Sequence, residues 1–328
     1  MRAIRFSQAM NEALHEEMQR DESVFIQGIG VKYAPPGGHA GGLLEAFGEA
    51  RVRGVVMDEP VIAGSCVGAA LAGMRPIADF SLADFATCAL DEIFGKAGKW
   101  RYMHGGNSDM TLPIVFIEMI GGYTSGAAEH SQSPTALYLH SPGLKIAVPT
   151  TPYDAKGLLK TAIRDNNPVV FFIHKKLMGL EGEVPEEEYL LPFGKAQVLR
   201  PGVDVTVVAT SYMASLAQSA ADNLVKQGID VEVIDPRTLE PLDIDSILVS
   251  VRKTGRLVVV DEDVERCGIG AEIGIQVMES EFKSLKGPVR RVGNPNLPVP
   301  YSPILEKTVL PSIESIESVV CELVAESH

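Results

Sequence analysis

Two adjacent carboxylates, Asp58 and Glu59, stand where a predicted strand gives way to a helix rich in Gly and Ala. Open parallel sheets bind ligands at the carboxyl ends of their strands, so this acid pair could contact a bound ligand. A structural interpretation competes: Asp58 caps the helix, and Glu59 favours the positive end of its dipole. Caps are common and ligand sites few, so the local pattern alone favours capping.

A histidine, His130, closes a glycine-rich loop that begins at Gly121 after another predicted strand. Its imidazole could shuttle protons near neutral pH. Alternatively, Ser131 caps the next helix and His130 merely packs. The local pattern supports both interpretations equally.

Two aromatic residues flank the end of a third strand. Phe80 lies in the strand and is predicted to be core. Phe85 opens a long predicted helix, from Asp84 to about His104, and could present its ring to a flat ligand. Without other information, ordinary packing is the favoured interpretation.

Buried apolar strands alternate with helices along the chain, a pattern typical of parallel sheets covered on both faces. A stretch rich in Pro and Glu interrupts the alternation and predicts an interdomain linker. We therefore expect an α/β fold of two parallel-sheet, three-layer domains, with the first domain at 1–185, the linker at 186–202 and the second domain at 203–328.

Composition narrows the function classes. Acidic residues outnumber basic ones by 43 to 29, for a net charge of −14. This charge argues against nonspecific binding to nucleic acid or an anionic membrane. No apolar run could span a bilayer, and the first residues lack the apolar core of a secretion signal, so a cytoplasmic protein is expected.

The four cysteines form no disulfide framework or zinc knuckle, and Cys66 and Cys88 are predicted to be buried free thiols.

The three stretches, in this order, resemble the beta subunit of the thiamine-diphosphate-dependent decarboxylase component of 2-oxoacid dehydrogenase complexes, the pyruvate, branched-chain 2-oxoacid and acetoin dehydrogenase type. Further segments extend the similarity over nearly the whole chain: Lys99-Trp100-Arg101-Tyr102, His140-Ser141-Pro142-Gly143, Asp154-Ala155-Lys156-Gly157, Asp235-Pro236-Arg237 and Pro298-Val299-Pro300-Tyr301. The resemblance implies a pyrimidine-binding first domain and a transketolase-like C-terminal domain.

The resemblance also implies roles for the three candidate residues. Glu59 matches the family glutamate that hydrogen-bonds a pyrimidine ring nitrogen of thiamine diphosphate, which favours the imino form that removes the thiazolium proton. Phe85 matches the aromatic residue beside the pyrimidine. His130 matches the histidine near the reacting carbon, where it positions the substrate or the incoming lipoyl group.

The diphosphate half of such a site is missing from this chain. Relatives hold the diphosphate through Mg²⁺ bound by a Gly-Asp-Gly motif with a downstream Asn, and this sequence contains no Gly-Asp-Gly. The resemblance therefore implies an alpha subunit that binds Mg²⁺ and shares the cofactor, a second beta subunit, and a lipoyl acyltransferase. It implies no nucleic acid and no membrane partner.

The family further suggests a potassium site. Its candidate ligands are the carbonyl groups of Ile114, Ala162 and Asn167, together with Asp165. The alternative is an ordinary helix C-terminus that Pro168 ends.

Two departures from the family pattern bear on activity. Residues 24–30 carry no carboxylate, whereas relatives have an acid there that helps to link paired active sites. Glu118 and Glu129 stand where Arg and Gln are common, and added negative charge would disfavour an anionic substrate. This favours acetoin or another neutral hydroxy-ketone over pyruvate.

Three other functions compete. Gly268-x-Gly270-x-x-x-Gly274 only partly matches the nicotinamide-binding fingerprint. A transketolase-like enzyme would share the cofactor but transfer a two-carbon ketol unit. A scaffold that kept the fold without catalysis is disfavoured because Glu59, Phe85 and His130 are all present.

Overall fold

The chain divides into two compact units in the computed structural model, which describes residues 1–107 and 109–326. The first unit contains the described residues of Met1–Ile120 together with Leu137–Phe193. The second contains Gly121–Ala136 and the described residues from Gly194 onward. The segment 121–136, which the predicted boundaries assign to the first domain, therefore groups with the second unit.

The elements up to residue 193 alternate between strand and helix. In chain order they are β1 (Arg2–Arg5), α1 (Phe6–Arg20), β2 (Val24–Gly28), α2 (Leu43–Phe47), β3 (Val52–Gly54), α3 (Glu59–Leu71), β4 (Arg75–Leu82), α4 (Ala83–Ala86), α5 (Trp100–Met103), β5 (Val115–Ile120), α6 (Thr135–Leu139), β6 (Lys145–Ala147), α7 (Pro152–Arg164), β7 (Val169–His174) and β8 (Glu181–Val184).

The first unit is built on a parallel sheet. Its strands are neighbours in the order β6-β7-β5-β4-β2-β3, and each of these pairs is parallel. The interior strand β7 is buried along its whole length and apolar up to its last residue, His174, as expected of a sheet covered on both faces. The predicted α/β class is thus confirmed. A separate antiparallel pair, β1 with β8, was not predicted because both strands are short and polar.

Local sequence signals explain where helices begin. Helix α7 starts with a capping box: the Thr151 hydroxyl accepts from the Asp154 amide at 3.1 Å, and the Asp154 carboxylate accepts from the Thr151 amide at 3.0 Å. Pro152 occupies the first turn, where its missing N–H costs nothing. Helix α7 then packs against α1.

The prediction of one long helix from Asp84 to His104 is wrong. The stretch breaks into α4, a 3₁₀ turn, a π-helical segment (Asp91–Ala97) and α5. The interruption coincides with a close backbone approach, because a Cβ on Gly143 would lie only 2.0 Å from the carbonyl oxygen of Gly98. One consequence corrects a second prediction: Cys88 is exposed, whereas Cys66 is buried as expected.

The second unit holds another series of elements. They are β9 (Gln197–Arg200), β10 (Val205–Ala209), α8 (Tyr212–Leu224), β11 (Val231–Asp235), β12 (Thr238–Glu240), α9 (Ile244–Thr254), β13 (Leu257–Val264), α10 (Ile269–Glu281), β14 (Arg290–Asn294), α11 (Pro303–Val309) and α12 (Ile313–Ala325).

A five-stranded sheet in the order β14-β13-β10-β11-β9 forms the centre of this unit. All its pairs are parallel except β11 with β9, and β9 lies within the stretch predicted as linker. The core is built from the buried faces of β10, β11 and β13 with α8 and α12. Within the described part of the chain, no helix combines the length and apolar character needed to cross a bilayer.

Candidate functional site

The carboxyl edge of the first-unit sheet gathers two of the candidate residues. Strands β3, β2 and β4 are adjacent and parallel, and Gly54, Gly28 and Asp79 lie in register across them. Glu59 follows β3 and Phe85 follows β4. Both therefore lie at the edge where parallel sheets bind ligands.

Asp58 caps helix α3, whereas Glu59 is available for contact with a ligand. Asp58 is the N-cap of α3, and its carboxylate accepts a hydrogen bond from the Val61 amide at 3.1 Å. The predicted cap is confirmed. Glu59 is the first residue of α3 and is half-buried; within the described residues its carboxylate has no hydrogen-bond or ion-pair partner. That carboxylate can accept a hydrogen bond from outside the chain.

The surface around Glu59 is apolar. Val56 and Met57, which precede the acid pair, are 75% and 82% exposed, and Val61 in the first turn of α3 is 49% exposed. A half-buried carboxylate beside such side chains suits a ligand that combines an aromatic ring with a hydrogen-bonding nitrogen.

Phe85 is half-buried in the short helix α4, directly after β4. Phe80 within β4 is fully buried, which confirms its prediction as core. Helix α3 approaches the segment after α4 closely, since a Cβ on Gly64 would lie 3.3 Å from the carboxyl carbon of Glu92. The glycine at position 64 is thus explained by packing, whereas Gly68 of the same helix faces open space.

The missing carboxylate of β2 has a packing explanation. Gln27 is buried, and its amide donates to the Ser65 hydroxyl at 2.6 Å, which ties β2 to α3. A Cβ on Gly28 would lie 2.4 Å from the carbonyl oxygen of Asp79, so position 28 has no room for a side chain. Packing thus excludes an acid at position 28 of β2. Gly30, which follows the strand, has open space around it, so packing does not explain the lack of an acid there.

A histidine–aspartate pair at the same edge was missed by the sequence analysis. Nε2 of His39 lies 2.7 Å from Oδ2 of Asp79, and the other Asp79 oxygen accepts from the Ser81 amide at 2.9 Å. An acid inside the apolar strand β4 was the available signal. Its partner lies in an irregular, glycine-rich stretch that carries no periodicity.

His130 belongs to the second unit, so the first-unit sheet does not fix its position. It is half-buried in a loop that folds back on itself: the Gly121 amide donates to the carbonyl of Gln132 at 3.0 Å. Helix α6 begins at Thr135, four positions beyond Ser131, and the proposal that Ser131 caps it is therefore wrong.

The two unusual glutamates lie in different surroundings. Glu129 is exposed. Glu118 in β5 is fully buried, and burial raises the pKa of its carboxyl well above the ordinary value even though the nearby Tyr138 hydroxyl acts in the opposite direction. Burial therefore disfavours the charged form of Glu118, so the negative charge expected at this position has less support than that expected at Glu129.

The potassium candidates lie at the opposite edge of the first-unit sheet. Ile114 precedes β5, and the turn from Ala162 to Asn167 precedes β7, so both stand at the amino ends of their strands. The carbonyl oxygens of Ile114 and Ala162 each accept one backbone hydrogen bond, from Val169 at 2.8 Å and from Asp165 at 3.2 Å. Each oxygen retains a second lone pair.

Cationic side chains already neutralise this turn. The Asp165 carboxylate forms an ion pair with Lys145 and accepts from the Asn167 amide at 2.8 Å. Burial alone would raise the pKa of Asp165, but Lys145 and Asn167 hold it below its ordinary value. Arg75 also donates to the Asp165 carbonyl at 2.9 Å. The Asp165 carboxylate thus already has partners within the chain, and the potassium site stays a prediction that would rest on the carbonyl oxygens.

Over residues 1–107 and 109–326, no group of three or more His, Cys, Asp or Glu side chains is arranged to hold a metal ion. The candidate residues are Glu59 and Phe85 in the first unit and, described separately, His130 in the second.

Two domain families match the chain. Residues 2–180 match the transketolase pyrimidine-binding domain, and residues 194–316 match the transketolase C-terminal domain. Together they agree with the predicted fold class.

Similar proteins extend over nearly the full length. The chain is 45% identical to the beta subunit of acetoin:2,6-dichlorophenolindophenol oxidoreductase from Cupriavidus necator, with 96% of each chain covered. It is 42% identical to the beta subunit of 2-oxoisovalerate dehydrogenase from Bacillus subtilis, over 98% of this chain and 99% of that one. It is 44% identical to the beta subunit of the pyruvate dehydrogenase E1 component from Rickettsia felis, over 96% and 98%.

A solved structure shares the fold. A split-gene transketolase, described as an inactive beta4 tetramer, superposes with a TM-score of 0.80 over 99% of this chain and 100% of that one. Its sequence identity is 22%, so the likeness shows the fold alone.

Proposed function

Because this chain belongs to the family of beta subunits of thiamine-diphosphate-dependent 2-oxoacid and acetoin dehydrogenases, we propose that it supplies the pyrimidine half of a shared cofactor site. In this proposal an alpha subunit completes the site, and the pair cleaves a 2-oxo acid or an acetoin-type hydroxy-ketone and passes the acyl group to a lipoyl carrier. The carrying observation is the half-buried, unpartnered carboxylate of Glu59 at the carboxyl edge of a parallel sheet.

Glu59 is assigned the contact with the pyrimidine ring. Its carboxylate accepts a hydrogen bond from a ring nitrogen, and the bond strengthens as the ring gains positive charge. The Asp58 cap fixes the first turn of α3 and thereby orients the Glu59 carboxylate. Phe85 is assigned an apolar contact beside the ring, which keeps water from the hydrogen bond.

Thiamine diphosphate, when bound, supplies a nucleophilic carbon and an electron sink for the carbon–carbon bond cleavage. His130 is assigned to the substrate side, where its imidazole holds or moves a proton at the substrate or the incoming lipoyl group. The diphosphate and its Mg²⁺ are assigned to the alpha subunit, because this chain contains no Gly-Asp-Gly motif. A potassium ion, if it binds, is assigned to backbone carbonyls at Ile114 and Ala162.

For the substrate we favour acetoin or another neutral hydroxy-ketone. The exposed Glu129 beside His130 in sequence supports this preference, whereas the support from Glu118 is weaker because burial disfavours its charged form. The other proposed components are a second beta subunit and a lipoyl acyltransferase. The net charge of −14 supports a cytoplasmic, membrane-free assembly.

Reconstitution with an alpha subunit tests the whole proposal. The assembled pair should oxidise acetoin or pyruvate with dichlorophenolindophenol as acceptor, whereas this chain alone with cofactor and Mg²⁺ should not. A higher kcat/KM for pyruvate than for acetoin would remove the substrate preference. Full activity of the isolated chain would remove the shared site.

Glu59→Gln tests the carrying observation. In the assembled enzyme, hydrogen–deuterium exchange at the thiazolium carbon should slow by a large factor while cofactor binding, measured by calorimetry, is partly retained. Glu45→Gln, an exposed glutamate of α2, is the matched control and should exchange normally. Normal exchange in Glu59→Gln would refute the role assigned to Glu59.

A further inference from the structure

The loop that carries His130 has an unfavourable backbone conformation. We call residues 121–132 the histidine loop. Three of its non-glycine residues have positive φ angles: Tyr123 at 61°, Ser125 at 55° and Ala127 at 60°. Residues other than Gly, Asn and Asp rarely adopt positive φ angles, so surrounding contacts must hold the loop in this conformation.

Buried carboxylates of the second unit supply those contacts. Glu306 of α11 is 4% exposed and accepts from the Thr124 amide at 3.2 Å and the Ser125 amide at 3.1 Å. Glu262 of β13 is 5% exposed and accepts from the Gly122 amide at 2.5 Å. Two buried acids thus accept hydrogen bonds from three backbone amides of the loop, those of Gly122, Thr124 and Ser125.

Packing closes the remaining freedom at the start of the loop. The Tyr123 hydroxyl donates to the carbonyl of Pro311 at 2.8 Å. A Cβ on Gly122 would lie 2.6 Å from Cδ1 of Leu310, so a larger residue there would require the Leu310 side chain to move. The first residues of the loop are therefore fixed between β13 on one side and the end of α11 on the other.

The rest of the loop is folded onto this fixed part. The His130 amide donates to the carbonyl of Ala127 at 3.3 Å, and a Cβ on Gly126 would lie 3.2 Å from Cβ of His130. The Gly121–Gln132 hydrogen bond closes the loop at its base. A change in the backbone at 122–125 is consequently passed to the position of His130.

We propose that Glu306, assisted by Glu262, is a positioning residue of the reaction, which holds the histidine loop in the conformation that presents His130. The proposal rests on the function assigned to His130 above. A carboxylate suits this task because it accepts several N–H groups at once, and loss of the acid would leave buried amides without acceptors. Small displacements of a catalytic group can lower turnover by orders of magnitude.

The test compares Glu306→Ala, His130→Ala and the double variant in the enzyme assembled with its alpha subunit. Turnover is measured with acetoin and with pyruvate, and lipoamide is the acceptor. Glu306→Ala should lower kcat by roughly tenfold to a hundredfold, with KM changed less. The double variant should be no slower than His130→Ala, because both changes act through the same histidine.

Amide hydrogen exchange of peptides spanning 121–132 should accelerate in Glu306→Ala. Lys307→Gln, on the exposed face of the same helix, should leave turnover and exchange unchanged.

The outcomes separate the two proposals. Normal turnover in Glu306→Ala with a slow His130→Ala overturns the positioning role and leaves the role of His130 intact. Normal turnover in His130→Ala overturns the function assigned to His130 itself. Multiplying losses in the double variant also overturn the positioning role. If Glu306→Ala does not fold, Glu306→Gln carries the test, since it keeps one acceptor oxygen. It should show a smaller loss that disappears in the His130→Ala background, and wild-type turnover with wild-type exchange would again overturn the proposal.

Discussion

His39 and Asp79 form a buried ion pair at the carboxyl edge of the first-unit sheet, with side chains 15% and 6% exposed. Burial alone would lower the pKa of His39, but the Asp79 carboxylate raises it above the ordinary value overall. A raised histidine pKa stabilises the folded state fully below the unfolded value of about 6.5. That contribution is lost as pH rises through the higher folded value.

The first prediction follows from this sign. The free energy of unfolding of the wild-type chain should fall as pH rises above about 6.5, and His39→Gln should flatten this dependence. Chemical denaturation between pH 6 and pH 9 measures it. His140→Gln, which removes an exposed histidine, is the control and should keep the wild-type slope. Equal slopes for His39→Gln and the wild type would contradict the assigned ion pair.

A second prediction concerns the ion network between α1 and α7. Glu17 is fully buried and accepts from Arg164 at 2.7 Å and from Arg20 at 2.8 Å. Lys160 beside it is also buried. Glu17→Ala removes the buried partner of these cations, although Lys160 and Arg164 keep contacts with other carboxylates. The free energy of unfolding should fall by about 3 kcal/mol.

An exposed pair provides the control for that measurement. Glu181 faces Arg5 at 3.6 Å with both side chains exposed. Glu181→Ala should cost less than about 1 kcal/mol in the same denaturation experiment. Similar losses for the two variants would show that burial does not determine the cost in this network.

A third prediction concerns an acid in the second unit. Burial and then the neighbouring Asp263 raise the pKa of Asp261 to about 7, although the Thr210 hydroxyl donates to it at 2.9 Å. Because the folded state binds this proton more tightly, Asp261 lowers stability progressively as pH rises from about 4 to about 7. Asp261→Asn should stabilise the chain at pH 8, by at most about 4 kcal/mol, and have little effect at pH 4. Thermal unfolding at the two pH values measures this. An equal change in stability on Asp261→Asn at pH 4 and at pH 8 would contradict the prediction.

A fourth prediction concerns thiol reactivity. Burial raises the pKa of the Cys66 thiol to about 12, whereas Cys88 and Cys267 are exposed. Since the thiolate is the reactive form, a disulfide reagent should label Cys88 and Cys267 quickly in the native chain and leave Cys66 unmodified. Mass spectrometry of the labelled peptides identifies the sites, and Cys88→Ser should remove one fast equivalent. Rapid native labelling of Cys66 would be inconsistent with its burial.

Much of the fold was readable because its signals are local. Asp58 is a typical N-cap residue directly before α3 and so indicates where that helix starts. The apolar run of β7 indicates a strand covered on both faces. Such signals predicted the α/β class and the edge at which Glu59 lies. They did not reveal β1, β8 and β9, which are short and lack a buried apolar face.

The errors arise where distant residues decide the local structure. The π-helical segment at Asp91–Ala97 and the exposure of Cys88 accompany the contact of Gly98 with Gly143, which periodicity near residue 90 cannot indicate. The raised pKa of Glu118 is caused by its burial, which the sequence near residue 118 does not reveal. The acceptors of the histidine loop, Glu262 and Glu306, are separated from it in sequence by 140 and 182 residues.

The chain places the histidine loop within its first half in sequence while the loop folds with the second half. A chimera made by a single crossover near residue 193 would therefore join one parent's loop to another parent's acids. Two relatives that differ at positions 122–125 must exchange that segment together with positions 262 and 306 for the hybrid to keep the loop intact. We likewise expect correlated substitutions among relatives: a substitution at positions 122–125 should be tolerated only when positions 262 and 306 change with it.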